Sequence, residues 1–297
     1  MPAVFAEEGY QLLRKVKGKI IFRYHNITPA EFFKPYNEFH AFQCEAGRKQ
    51  TTEFIREFKN AYWIADSSFN LEDLKDVKND KKGICPPFNK IEIWANSKPD
   101  EGILRGLLES DEINLLFVGR VVPNKGYLKL LNILYVYALN YGKKIKLRII
   151  GKFDEGLKKY NDEINCFINN NNLENLVEFI GEVNDSTLLS YYLGSDLLIC
   201  VSEHEGFCVP IIEAQYLDLP VVALNACAVP ETIGKGQLIL DDDVKKFAAA
   251  IHIISQNKEY YQYLIRNAQE NFLNRFSCQK ISELFMHEFL KGVGKTI

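Results

Sequence analysis

Residues 202–214 of this chain, Ser-Glu-His-Glu-Gly-Phe-Cys-Val-Pro-Ile-Ile-Glu-Ala, set two carboxylates, Glu205 and Glu213, eight positions apart around Gly206 and Pro210. The apolar run 196–201 before them reads as a buried strand, and the apolar residues from Val209 onward open a helix. A strand that ends in a glycine-containing turn and restarts as a helix brings backbone N–H groups to the carboxyl edge of a sheet. Open α/β sheets bind ligands at that edge, and helix N-termini favour anions. Carboxylates at an anion site suit a ligand that also carries sugar hydroxyls, because a carboxylate accepts hydrogen bonds from hydroxyl groups. A second loop, 117–126, supplies the opposite charge: Arg120 offers a planar fork for phosphate oxygens, Lys125 a mobile point charge, and Gly119 a place where backbone can approach a ligand. Taken alone, an arginine and a lysine at this spacing read as surface cations beside a turn. They gain weight because their loop also leaves a predicted strand at its carboxyl end.

The elements that position these loops alternate. Strands are expected at 115–119, 146–151, 177–181, 196–201 and 220–224. The helices between them fall at 125–141, 157–173, 186–193 (with Asp185 as N-cap) and 209–217. Short connections between alternating strands and helices imply a parallel, doubly wound sheet with right-handed crossovers. Helices are expected at 241–255, 259–276 and from 278 to about 291. The front of the chain is sparser. It has strands at 19–24 and 62–65, a helical stretch over 30–58 in two pieces, and a mixed connection at 89–112.

Composition excludes several classes. Hydrophobic residues at 47 % and charged residues at 25 % are ordinary for a globular protein, and a formal net charge of −3 gives no electrostatic case for nucleic acid. Seven cysteines are scattered without a CxxC pair, which fits a reducing compartment better than a disulfide scaffold. No apolar run approaches the roughly 20 residues that span a bilayer, and no GxGxxG follows a predicted strand, which weighs against a nicotinamide-binding enzyme. The acidic run Asp241-Asp242-Asp243 precedes a helix and reads as a cap rather than a metal site.

Together, residues 117–126 and 203–214 resemble the retaining glycosyltransferases of family 4, which have the GT-B fold of two Rossmann-like domains around a cleft. Phe179-Ile180-Gly181-Glu182-Val183, Asp196, Pro220-Val221-Val222-Ala223 and Pro230-Glu231-Thr232-Ile233-Gly234 extend the match, as do Tyr24-His25-Asn26-Ile27-Thr28-Pro29 and Ala65-Asp66-Ser67 near the front. The resemblance implies a role for each matching residue. Arg120, Lys125 and Gly119 hold the donor diphosphate, and the backbone of Gly206, Phe207, Cys208 and Val209 touches donor sugar and phosphates. Glu205 binds the sugar near its anomeric centre, Glu213 binds the ribose, Val183 meets the base, and His25 faces the donor sugar from across the cleft. His204 is expected to pack beside the site. The implied activity is transfer of a hexose from a UDP- or GDP-linked sugar to a glycan or lipid-linked acceptor. Anomeric configuration is retained, and no metal or other cofactor takes part. The implied setting is cytoplasmic or peripheral at the inner membrane face.

Two departures from the family pattern carry expectations of their own. Sequence that normally precedes the 19–24 strand is short, so the expected layout is an incomplete N-terminal, acceptor-side domain over 1–112 and a donor domain over 113–275. The helix over 276–297 is expected to return to the first domain. A donor-binding module that needs a partner chain to complete its acceptor side is the alternative. Cys208 and Asp218 also stand where the family commonly has glycine.

Overall fold

In the computed structural model, which describes residues 6–295, two parallel sheets organise the chain. The first has three strands in the order β1-β2-β3: β1 (Ile21–Tyr24), β2 (Tyr62–Ala65) and β3 (Lys82–Ile84). Helix α1 (Glu7–Lys15) precedes it, α2 (Glu38–Glu57) crosses from β1 to β2, and α3 (Ser68–Asp73) follows β2. Residues 30–58 form a short 3-10 turn at Ala30–Phe32 and then α2, because the Asn37 side chain accepts from His40 N and starts the helix afresh. β2 is buried along its whole length. Tyr10, Tyr24, Phe54 and Trp63 cluster on one side of this sheet.

Residues 89–112 are not a bare connection. They hold α4 (Ile91–Trp94) and α5 (Glu101–Leu108), and α5 packs on the second domain. A side chain at Gly194 would meet Leu107 at 2.7 Å, and Asp100 N donates to Ser190 Oγ at 2.7 Å.

The second sheet contains β4 (Ile113–Val118), β5 (Ile145–Ile150), β6 (Val177–Gly181), β7 (Leu197–Cys200), β8 (Val221–Leu224) and β9 (Leu238–Leu240). Their order is β6-β5-β4-β7-β8-β9, all parallel. β9 is too short, at three residues, to stand out by periodicity. The connecting helices are α6 (Tyr127–Tyr141), α7 (Lys158–Asn170), α8 (Asp185–Gly194), α9 (Val209–Tyr216) and α10 (Val229–Ile233). Then come α11 (Val244–Gln256), α12 (Lys258–Arg275) and α13 (Cys278–Val293).

Alternation along β4 places Leu115 and Phe117 in one core with Leu131, Leu134 and Ile251. It places Leu116 in the other, with Leu198, Ile211 and Phe272. A sheet buried on both faces produces the continuous apolar runs seen in β4 and β7, and each such side chain contributes about 1.5–3 kcal/mol.

Two boundaries differ from expectation for local reasons. α8 is capped by Asn184, whose side chain accepts from Thr187 N at 2.9 Å, so Asp185 is the first helical residue rather than the cap. α6 begins at Tyr127 because Pro123–Lys125 closes a 3-10 turn and Gly126 adopts φ 73°. Asp243 accepts from Lys245 N and Lys246 N and caps α11. Helix α13 returns to the first sheet, where Tyr62 Oη donates to the buried Glu288 carboxylate at 2.5 Å. No helix among the described residues is long and apolar enough to cross a membrane.

Candidate active site at the sheet switch point

In the second sheet, chain order runs outward through β5 and β6 on one side of β4 and through β7, β8 and β9 on the other. The reversal lies between β4 and β7, and a crevice at the carboxyl ends of such a strand pair is the expected ligand position in an open α/β sheet. The two loops singled out by sequence leave these two strands. They are stitched together by backbone. Glu203 N donates to Asn124 O at 2.9 Å, and buried Asn124 Nδ2 donates to His204 O at 3.1 Å. A side chain at Gly126 would sit 2.4 Å from Val201 O, so only glycine lets α6 start here.

The first glutamate and the lysine form an ion pair. Lys125 Nζ lies 2.5 Å from Glu205 Oε1, with side-chain exposures of 18 % and 11 %. Burial works against the Lys125 charge, but the carboxylate more than compensates and holds the ammonium above its ordinary range. Lys125 is therefore engaged with Glu205, and Arg120 is the exposed cation of the loop. Arg120 and His25 line one cavity of about 980 Å³ that opens between β1, α2 and the β4 loop. Gly119 accepts from Tyr127 Oη through its carbonyl at 2.7 Å. Its close approach is to Gly151, where a side chain would lie 1.9 Å from Gly119 O.

The segment 206–209 joins the two domains. Gly206 O accepts from Ser67 Oγ at 2.7 Å, and a side chain at Gly206 would meet His25 O at 2.8 Å. Phe207 is buried, with its carbonyl held by Thr232 Oγ1 at 2.6 Å. Cys208 adopts φ 76° directly before α9, and its thiol lies 3.6 Å from that of Cys200. Val209 opens α9 and packs on the second core. Ser68 N donates to the Glu231 carboxylate at 2.8 Å, a second bond between the domains. His204 packs between the rings of Phe32 and Phe69, at 6.1 and 5.7 Å, and burial pushes its imidazole below the usual range.

Glu213 lies on α9 and has its own partner. Tyr192 Oη donates to its Oε2 at 2.5 Å. Burial raises the Glu213 carboxyl, the tyrosine bond offsets part of this, and Asp185 adds to the rise. Asp185, whose charge reaches Glu213, follows Val183 by two residues.

A carboxyl whose folded pKa is raised contributes stability below its unfolded pKa and loses it as pH rises through the folded value. Glu213→Gln removes the buried charge and keeps an acceptor for Tyr192. The variant should unfold at higher denaturant than the parent at neutral pH, with the difference closing as pH falls into the carboxylate range. Urea titrations at several pH values measure this, and a gap that widens in acid contradicts it.

Three residues of the site carried no signal strong enough to be singled out from sequence, Asn124, Tyr192 and Arg23, and Asp66 entered only within the Ala65-Asp66-Ser67 match, with no role. Asp66 is 4 % exposed at the end of β2, lies 2.8 Å from His25 Nδ1 and accepts from Arg23 Nη2 at 3.0 Å. Its position at a strand's carboxyl end was the available clue. Among the described residues, no group of three or more His, Cys, Asp or Glu side chains could hold a metal ion.

Comparison with known proteins gives this geometry a family. A model described as glycosyl transferases group 1 matches residues 104–271. The chain is 26 % identical over 267 residues to an uncharacterized 41.2 kDa protein in the cps region of Klebsiella pneumoniae, covering 86 % of this chain and 68 % of that protein. It is 27 % identical over 199 residues to the capsular polysaccharide biosynthesis glycosyltransferase CapM of Staphylococcus aureus, covering 66 % of this chain and 50 % of CapM. The crystal structure of Anabaena Alr3699/HepE in complex with UDP and glucose superposes with a TM-score of 0.76 at 19 % identity, over 91 % of this chain and 71 % of that one. The alignments thus span between half and about two thirds of these relatives' lengths. The fold is the α/β, GT-B arrangement of two Rossmann-like domains, and the chain belongs to the group 1 glycosyltransferase family.

Proposed function

We propose that this chain transfers a hexosyl group from a UDP- or GDP-linked sugar to a glycan or glycolipid acceptor, with retention at the anomeric carbon and without a metal. The observation that carries the proposal is the pairing of Lys125 with Glu205 at the switch point, on the loop of exposed Arg120 and next to Gly206, which abuts the His25 turn. Cleavage of a sugar–phosphate bond develops positive charge at the anomeric carbon and negative charge on the leaving diphosphate. Arg120 and the N-terminus of α9 supply preorganised positive potential for the second, and Glu205 supplies a carboxylate for the first. Glu213, beside Tyr192, is the ribose acceptor in this reading, with Val183 at the base.

Titration calorimetry with UDP and with GDP is the direct test. One of them should bind with enthalpy and unit stoichiometry, and a folded sample that binds neither rules the donor site out.

The second reading is a donor-binding module that works with a partner chain. It draws on the outer edge of β1, which pairs with no strand among the described residues and borders the 980 Å³ cavity. A monomer that releases UDP from UDP-glucose on its own favours the autonomous enzyme.

A further inference from the structure

The turn that carries His25 is held from several sides. Tyr24 Oη donates to Asp73 Oδ2 at 2.8 Å, and Arg48 bridges Asp73 Oδ1 at 2.7 Å and Ile27 O at 2.6 Å. Asn26 adopts φ 74° and donates to Asn70 Oδ1 at 2.8 Å. Only the imidazole itself reaches into the open, with 62 % of the His25 side chain exposed.

Among the described residues, the hydrogen-bond partner of its ring is Asp66, whose side chain is 5 % exposed. Each Asp66 oxygen has its own donor: Oδ2 faces His25 Nδ1 at 2.8 Å, and Oδ1 accepts from Arg23 Nη2 at 3.0 Å. The same Arg23 nitrogen also donates to Cys85 O at 2.9 Å and Pro86 O at 2.8 Å, which fixes the guanidinium at the carboxyl end of the first sheet.

We infer that Asp66 is a positioning residue that fixes both the ring orientation and the tautomer of His25, with Arg23 anchoring Asp66. An ionised carboxylate has no proton to give. The proton of the short bond therefore belongs to Nδ1, and Nε2 faces the cleft as a lone pair. A neutral histidine side chain free in water favours the opposite form, with the proton on Nε2. In the Asp66-set tautomer, Nε2 accepts a hydrogen bond and offers none, so its ligand partner must be a hydroxyl and not a phosphoryl or carbonyl oxygen. His25 then selects for the sugar end of the donor over the diphosphate end. This use of His25 rests on the donor reading above, whereas the tautomer assignment does not.

The experiment keeps those two apart. Long-range 1H–15N spectra of protein labelled at histidine nitrogen, at mildly alkaline pH, report the tautomer of each of the five histidines. The His25→Gln variant identifies the signal of His25. The wild-type chain should show His25 protonated on Nδ1. A dominant Nε2–H form in the wild type overturns the inference without any Asp66 variant having to fold. In Asp66→Asn the amide can donate as well as accept, so the Nε2–H form should grow, and an unchanged His25 signal in the folded variant overturns the inference.

In the same variant, kcat for UDP-glucose hydrolysis should fall on the order of 10- to 100-fold, the scale of a misplaced contact group. UDP affinity by calorimetry should stay within about threefold, because the contact is made to the sugar. A loss of UDP affinity as large as the loss of kcat overturns the positioning role. If the wild-type chain binds neither UDP nor UDP-glucose, the donor reading fails, and the spectra still decide the tautomer.

Discussion

Arg120→Ala weakens binding of the bare nucleoside diphosphate by about 10- to 100-fold, whereas Glu205→Ala leaves it unchanged or tightens it. The asymmetry follows from how the charges are arranged. Arg120 is exposed and lines the cavity, so its guanidinium meets a diphosphate without breaking an existing ion pair. A hydrogen bond to a charged group is worth about 1.5–3 kcal/mol, and 1.4 kcal/mol is a factor of ten in affinity. Lys125 is already committed to Glu205 at 2.5 Å. Removing that carboxylate releases the ammonium toward the phosphates and removes a negative charge from the anion site. The same Glu205→Ala variant should lose sugar transfer or hydrolysis by on the order of 100-fold, because charge stabilisation at the reacting carbon goes with the carboxylate. Calorimetry with UDP and GDP separates the two effects. A larger affinity loss from Glu205→Ala than from Arg120→Ala means that the phosphate and sugar sides have been assigned the wrong way round.

Gly126→Ala unfolds the chain at markedly lower denaturant, with a loss of more than about 3 kcal/mol. The left-handed conformation alone costs an alanine about 1–2 kcal/mol. Here φ is 73°, and the new Cβ would lie 2.4 Å from Val201 O. That atom is backbone at the exit of β7, so relief requires moving the loop that carries Glu205. Overpacking against an unyielding neighbour adds roughly 1–3 kcal/mol. Gly18→Ala is the matched control, since nothing lies within 4 Å of a side chain there and its φ is not in the left-handed region. Equilibrium urea unfolding of both variants measures the difference, and equal midpoints refute the argument.

The second domain was legible because its strands are mostly apolar and its motifs fall at strand ends. The core residues Leu131 and Leu134 lie where the helical spacing of α6 put them. Elements of three residues, such as β3 and β9, offer no period to read. The connection at 89–112 was obscure because α5 owes its stability to a partner helix, α8, far along the chain. Backbone conformation was written into the departures from glycine: Cys208 and Asp218 have φ 76° and 59°, the left-handed geometry that glycine ordinarily supplies. Partnerships were not legible. Nothing in the spacing of Lys125 and Glu205 shows whether two opposite charges serve a ligand separately or hold each other. Nothing in residues 23, 25 and 66 announces that two side chains from the end of β1 share one carboxylate at the end of β2.

The contact between the domains has a kinetic meaning. Ser67 holds Gly206 at 2.7 Å, and Ser68 holds Glu231 at 2.8 Å. A cleft that opens to discharge a spent nucleotide must part these atoms, and Gly206 follows directly after Glu205. Each bond contributes about 0.5–1.5 kcal/mol, so the pair favours the joined form by roughly one to two orders of magnitude. Turnover and grip are then set by the same short loop: a change that makes it hold the donor better also delays the opening that ends the catalytic cycle.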